Sequence, residues 1–241
     1  MTQTPVALIT GASRGIGRAV AMGLAQDGYQ TILVGRSRET LVPVAQAICE
    51  QRGRDGELAP VVVPLDLSCL DNIDPVLGPV IYKLGRVDVL VNNAGQYIQG
   101  SLDMRCKDLE RLLRVNVAAQ VAILQSVVPV MKQQGSGHVF NVASRAGKVG
   151  FEGVGGYCAS KFALAGFGES LYRELVPQGI KVTTLCPGWV NTDMATDAHC
   201  TLDPGDMIQP EDLSKTIRWL LSLSPEACVK EVVIESPKSM A

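Results

Sequence analysis

The stretch VALITGASRGIGRAVAMGLAQDG, residues 6–28, decides the fold. An apolar run, Val6 to Ile9, passes into a turn holding Gly11, Gly15 and Gly17, and the turn passes into a helical pattern. This order is a strand, a glycine turn and a helix start. Gly11 can make the tight turn, Gly15 lets backbone approach a pyrophosphate, and Gly17 allows the helix to pack closely on a sheet, with the anion held at the helix N-terminus. The spacing differs from the usual G-x-G-x-x-G. Glycines also end ordinary strands, but three within seven residues after a first strand favour the phosphate-binding reading.

Working outward, short apolar runs alternate with longer helical patterns. Residues 6–10, 31–34, 61–65, 87–91, 138–142, 181–185 and 231–234 read as seven strands. Alternation of this kind marks parallel crossover units, whose right-handed connections place helices on both faces of one sheet. The expectation is an α/β protein with a doubly wound, seven-stranded parallel sheet. Its ligand crevice should lie at the carboxyl ends of the strands. Polar or turn-forming residues follow six of those ends: Thr10-Gly11, Arg36, Asp66, Asn92 to Gly95, Ser144 and Pro187-Gly188.

The chain has 241 residues, 46% hydrophobic and 19% charged, which suits one globular domain over 1–241 with a substantial core. A formal charge of -2 and the lack of any Lys/Arg block argue against a nucleic-acid partner. The first residues, MTQTP, lack a basic segment followed by an apolar core, and no apolar run is read as a membrane span, so a soluble, cytoplasmic protein is expected. The seven cysteines contain no C-x-x-C pair and the two histidines, His138 and His199, stand far apart, so neither a disulfide framework nor a metal site is expected.

Tyr157 and Lys161, in GYCASKFA, stand four residues apart and so share one face of a helix, with Cβ atoms about 6 Å apart. A phenol has a reference pKa near ~10, and a neighbouring ammonium lowers the cost of ionising it. An oxygen acid beside a cation is what ketone reduction, or alcohol oxidation, needs at its oxygen atom. Ser144 can join them. The segment 109–131 is apolar nearly all round and must be covered on more than one side, either within the monomer or by a partner subunit. Asn116 interrupts it; a buried amide needs partners, so it either holds a local bend or orders water and lysine at a site.

These motifs together resemble the short-chain dehydrogenase/reductase family: TGASRGIG at 10–17, NNAG at 92–95, Asn116, Ser144, Tyr157 with Lys161, and PGWVNTDM at 187–194. The resemblance covers essentially the whole chain. It implies a single-domain Rossmann fold, a nicotinamide cofactor and a homotetramer or homodimer built partly from the long helix. It further implies that Tyr157 gives its proton to the carbonyl oxygen, that Ser144 holds that oxygen, and that Lys161 lowers the tyrosine pKa and binds the nicotinamide ribose. Asn116 would hold a water connecting the lysine to solvent. Cofactor contacts carry over to Gly11, Ser13, Arg14, Gly15, Ile16 and Gly17, to Asp66 and Leu67 beside adenine, and to Asn93, Ala94 and Gly95 along the adenosine ribose. Pro187, Gly188, Val190 and Thr192 would hold the carboxamide and phosphates.

An NAD site usually places a carboxylate after the second strand. Here LVGRSRE puts Arg36 there, and Arg14 lies in the glycine loop. Guanidinium forks suit a 2′-phosphate, so NADP(H) is expected. Substrate choice falls to the 194–210 loop, expected to be a mobile lid, and to Gln96, Arg145, Phe151 and Trp189. A small ketone or aldehyde is preferred over the acyl thioester of a 3-oxoacyl-[acyl-carrier-protein] reductase, because the chain ends EVVIESPKSMA without a glycine-rich segment; Arg173 alone remains as a carrier contact. Two further readings stand beside this one. A non-catalytic NADP(H)-binding regulatory protein would be expected to have lost a catalytic residue, and none is lost. A serine hydrolase lacks both its histidine base and the G-x-S-x-G elbow.

Overall fold

The first apolar run forms β1 (Val6–Thr10), buried at every position. It lies between β2 (Gln30–Gly35) and β4 (Val89–Asn92) in the computed structural model, which describes residues 4–52 and 58–240. With β3 (Val61–Pro64), β5 (Gly137–Val142), β6 (Ile180–Pro187) and β7 (Glu231–Ile234) it makes a seven-stranded sheet, order β3-β2-β1-β4-β5-β6-β7, with every pairing parallel. The order reverses between β1 and β4, so a crevice opens there at the carboxyl ends.

Side chains alternate across a strand, and the sheet therefore feeds two cores. Leu8, Ile32 and Val139 point to one, which is closed by α3 (Ile73–Leu84), α5 (Ala119–Gln134) and α6 (Gly155–Leu175). Ile9, Leu33 and Phe140 point to the other, closed by α1 (Gly15–Gln26), α2 (Arg38–Arg52) and α8 (Pro210–Ser222). Both sheet faces are covered, which explains why the strands read as continuous apolar runs.

Several boundaries differ from those read in the sequence. The fourth strand begins at Val89, not Val87, because Gln134 takes both backbone groups of Val87, its Oε1 accepting from the amide at 2.8 Å and its Nε2 donating to the carbonyl at 2.9 Å. The sixth runs from Ile180 to Pro187, longer than 181–185, because β5 and β7 pair with it over different stretches. The second gains Gln30 and Gly35 and the fifth gains Gly137, while the third stops at Pro64.

A continuous helical run, Cys106–Gln134, is long and apolar enough by length and composition to cross a membrane, contrary to the sequence reading. Within this fold Leu112, Ile123, Val127 and Met131 are buried. The run consists of α4 (Cys106–Leu113), a π-helical turn over Arg114–Ala118, and α5. The 194–210 segment carries regular structure: α7 (Asp193–Asp197) leads into it, and Ile208 pairs with Val190, donating to the Trp189 carbonyl at 3.0 Å and accepting from the Asn191 amide at 2.8 Å.

Candidate active site

The glycine turn after β1 folds tightly because Gly11 and Gly15 adopt φ of 65° and 53°, the left-handed region that favours glycine. Gly17 has another reason to lack a side chain: a Cβ there would lie 2.2 Å from the Gly11 carbonyl oxygen. The turn therefore brings the start of α1 to the crevice. Arg14 makes no side-chain cap and the first turn of α1 carries no acidic residue. Backbone N–H groups and the positive end of the helix dipole face the cleft, a donor set that fits a pyrophosphate.

The loop after β4 is locked to this turn. Thr10 Oγ1 accepts from the amides of Asn93 and Ala94, each at 3.0 Å, and Asn93 Nδ2 donates to the Thr10 carbonyl at 2.9 Å. Gln120, fully buried, donates to the Ala94 carbonyl at 2.7 Å. At the end of β3, Asp66 accepts from the Ser68 amide and hydroxyl, which hold its carboxyl below the usual range, with the nearby Arg36 and Arg111 guanidiniums helping.

Tyr157 and Lys161 rise from the first turns of α6. Lys161 is buried, donates to the Val142 carbonyl at 3.0 Å, and sits 5.7 Å from the Tyr157 ring centroid. Burial pushes its pKa down to about 8, while Cys186 acts the other way. Burial pushes the Tyr157 phenol up to about 12, opposed by a hydrogen bond with Ser144. Ser144 also accepts from the Ala146 amide at 3.1 Å, so capping the following turn and facing the phenol are one arrangement rather than alternatives.

Asn116 lies in the π turn. Its Oδ1 accepts from the Gln96 amide at 2.7 Å, and its Nδ2 donates to the Gln96 carbonyl at 2.9 Å and to Ser160 Oγ at 3.0 Å. The interruption seen in the sequence is thus a bend whose amide grips the loop after β4. π turns of this kind occur mostly as single insertions and often at functional sites.

One cleft of about 870 Å³ gathers these groups. Its walls include Gly11, Ser13, Arg14, Gly15, Ile16, Arg36, Asp66, Leu67, Asn93, Ala94, Gly95, Ser144, Tyr157, Lys161, Pro187, Gly188, Val190 and Thr192, the residues that the motifs had singled out. Gln96, Arg145, Phe151 and Trp189 line it as well. Gly17 and Asn116 stand behind the wall, the first under the glycine turn and the second beneath Gln96. Arg14 reaches across the cleft to Asp193 instead of standing free, and the Thr192 hydroxyl donates to the Val190 carbonyl at 3.2 Å. Tyr97, Gln120, Ser160 and Asp193 went unremarked in the sequence. Ser160 had a signal in its i+3 spacing from Tyr157, and Gln120 in its i+4 spacing from Asn116. Tyr97, edge-on to Tyr157 with ring centroids 5.3 Å apart, had none.

Comparison with known proteins shows the family and the fold. Residues 5–202 match the family model described as short chain dehydrogenase. An uncharacterized oxidoreductase of Staphylococcus epidermidis is 32% identical over 232 residues, 95% of this chain and 96% of that protein. The structure of a beta-ketoacyl-[ACP] reductase (FabG) from Bacteroides thetaiotaomicron is 45% identical, with a TM-score of 0.87 and 99% of both chains covered. A metagenomic short-chain oxidoreductase solved in complex with NADP is 30% identical over 96% of both chains, with a TM-score of 0.82.

Proposed function

The chain belongs to the short-chain dehydrogenase family and is an oxidoreductase, and from that premise we propose that it reduces a carbonyl compound to an alcohol, reversibly, with NADP(H). The observation that carries this reading is the placing of Ser144, Tyr157 and Lys161 on one cleft with the uncapped start of α1. Gly11, Gly15 and the first turn of α1 would hold the pyrophosphate. Asp66 and Leu67 would lie at the adenine, and Asn93 to Gly95 along its ribose. Pro187, Gly188, Val190 and Thr192 would hold the other half. A cofactor held there would supply hydride to the carbonyl carbon.

The remaining chemistry belongs to the chain. Ser144 donates a hydrogen bond to the carbonyl oxygen, and Tyr157 gives that oxygen its phenolic proton. A phenol whose pKa burial pushes to about 12 in the free protein is fully protonated at neutral pH, the form a general acid needs. Lys161, still mostly an ammonium at neutral pH with a pKa near 8, stabilises the phenolate left behind. Asn116 is a positioning residue. Two of its three bonds fix Gln96, and the second lone pair of its Oδ1 is available for the water that would return a proton to the lysine.

The NADP(H) preference rests on Arg36, exposed on the cleft wall directly after β2, the position where an NAD site usually places a carboxylate. The metagenomic relative bound to NADP supports the same choice. A homo-oligomer is part of the reading, because Phe162, 45% exposed on α6, and Leu113 at the end of α4 leave apolar surface uncovered; light scattering of the purified chain checks it. The test of the reaction is oxidation of NADPH and of NADH by purified protein with ketones, aldehydes and a 3-oxoacyl thioester. NADPH-dependent turnover that disappears in Tyr157→Phe is expected, and equal turnover in that variant would overturn the assignment. Preference for the thioester would instead align the chain with the Bacteroides reductase.

A further inference from the structure

Sheet order divides the cleft. Residues after β2 and β3 lie at one end, with Arg36, Asp66 and Arg111, and residues after β5 and β6 lie at the other, with Ser144 and the Trp189 to Ala198 segment. The second end is built from apolar and aromatic side chains: Tyr97, Ile98, Phe151, Val154, Trp189 and Met194. Phe151 and Trp189 remain 42% and 38% exposed, so two rings stand open at its mouth. Open aromatic faces beside a reacting centre gain from a planar apolar partner, through buried area and ring contacts.

At the mouth of this end the arginine beside Phe151 is already paired. Arg145, directly after Ser144, forms an ion pair with Glu235, Nη1 lying 2.7 Å from Oε2, and its guanidinium carbon lies 5.5 Å from the centre of the Phe151 ring. Its edge and one face are thereby occupied in a pair only about a quarter exposed on each side, 27% and 23%. Arg14, from the glycine turn, reaches across to Asp193, and Lys161, which donates to the Val142 carbonyl, lies buried at the reacting centre beside Tyr157. The other charged groups there, Glu152 and Asp197, are carboxylates. An incoming carboxylate would have to take Arg145 from Glu235 and leave that carboxylate unpaired, or lie among like charges, and both are unfavourable.

We propose that this end of the cleft takes an uncharged carbonyl compound bearing an aryl or similar planar apolar group and rejects its carboxylate-bearing analogue, with the Arg145–Glu235 pair as the element that sets the selection. The inference rests on the carbonyl-reductase reading of the same cleft. Arg145 acts here as a positioning residue: it ties Phe151 on one side to the segment after β7 on the other. Neutralised by Glu235, it presents no anion-binding fork to the substrate.

The experiment compares an aryl methyl ketone with the same ketone carrying a para-carboxylate, in the wild-type protein and in Glu235→Gln, which leaves Arg145 charged but unpaired. The expected wild-type result is a kcat/KM for the neutral ketone at least about tenfold higher, and Glu235→Gln should narrow that ratio several-fold. Binding of both compounds to the protein saturated with NADP+, read by equilibrium dialysis, separates this inference from the reaction on which it rests. Neutral compound bound in preference without any turnover removes the carbonyl-reductase reading and keeps the selection. Equal or tighter binding of the carboxylate, no binding of either, or an unchanged ratio in Glu235→Gln overturns the proposal.

Discussion

Arg14 Nη1 lies 2.6 Å from Asp193 Oδ2, so a guanidinium in the glycine turn is tied across the cleft to the first residue of α7. Both side chains are more than half exposed, 62% and 63%, and a pair in such surroundings contributes about 0.2–1 kcal/mol. A 2′-phosphate would therefore compete with Asp193 for this arginine. Asp193→Asn should tighten NADPH binding by up to about fivefold and change NADH binding less. Fluorescence titration of the two cofactors measures both; weaker NADPH binding in the variant would show that Asp193 supports the site.

Arg36 has no such competitor among the hydrogen bonds and ion pairs of the described residues, although Asp66 feels its charge. Hydrogen bonds to charged groups are worth about 1.5–3 kcal/mol. Arg36→Asp should move the NADPH to NADH ratio of kcat/KM by about ten- to a hundredfold toward NADH. An unchanged ratio would remove Arg36 from cofactor choice.

Tyr157→Phe should lower turnover by about 10²- to 10⁴-fold, the range of a lost general acid, while NADPH still binds. The pH dependence follows from Lys161. Its folded pKa is lowered to about 8, so the ammonium is present below that pH and is lost as pH rises through it. Reduction should hold level below pH about 8 and fall above it. A kcat/KM profile that keeps rising through this range would separate Lys161 from the proton step.

Gly17→Ala places a methyl against the Gly11 carbonyl and Asn93 Nδ2, at 2.2 and 2.6 Å. One contact is backbone, so the turn and α1 must separate. A stability loss of about 1–3 kcal/mol is expected, together with weaker cofactor binding, and thermal unfolding with and without NADPH reads both.

His138 tests acid stability away from the cleft. Its Nε2 lies 2.9 Å from Thr183 Oγ1, which itself donates to the Val229 carbonyl at 2.6 Å, so the imidazole donates to the hydroxyl. Burial lowers its pKa to about 3 from 6.5, with Lys181 adding to the effect. Between those values the unfolded chain holds a proton that the folded chain does not. Stability present above pH 6.5 is therefore lost as pH falls toward 3, by roughly 1.4 kcal/mol per unit. His138→Gln should flatten urea midpoints across that window; an unchanged slope would place the acid sensitivity elsewhere.

The sequence by itself determined the sheet, the glycine turn and the grouping of Tyr157 with Lys161 on one helix face. Two-sided burial forces continuous apolar strands, and i, i+4 spacing puts a phenol and an amine on one helical face whatever surrounds them. Its boundaries failed where side chains from distant elements compete for backbone, as Gln134 does at Val87. Only the tertiary structure decided which partner each side chain takes. Asn116 grips Gln96 20 positions away, Arg14 pairs with Asp193 179 positions away, and Arg145 reaches Glu235 after the last strand. Such contacts join chain segments brought together by strand order, and no local spacing encodes them. The Arg145–Glu235 and Tyr97–Tyr157 contacts at the β5 and β6 end of the cleft are of this kind, so they became legible only when the fold was closed.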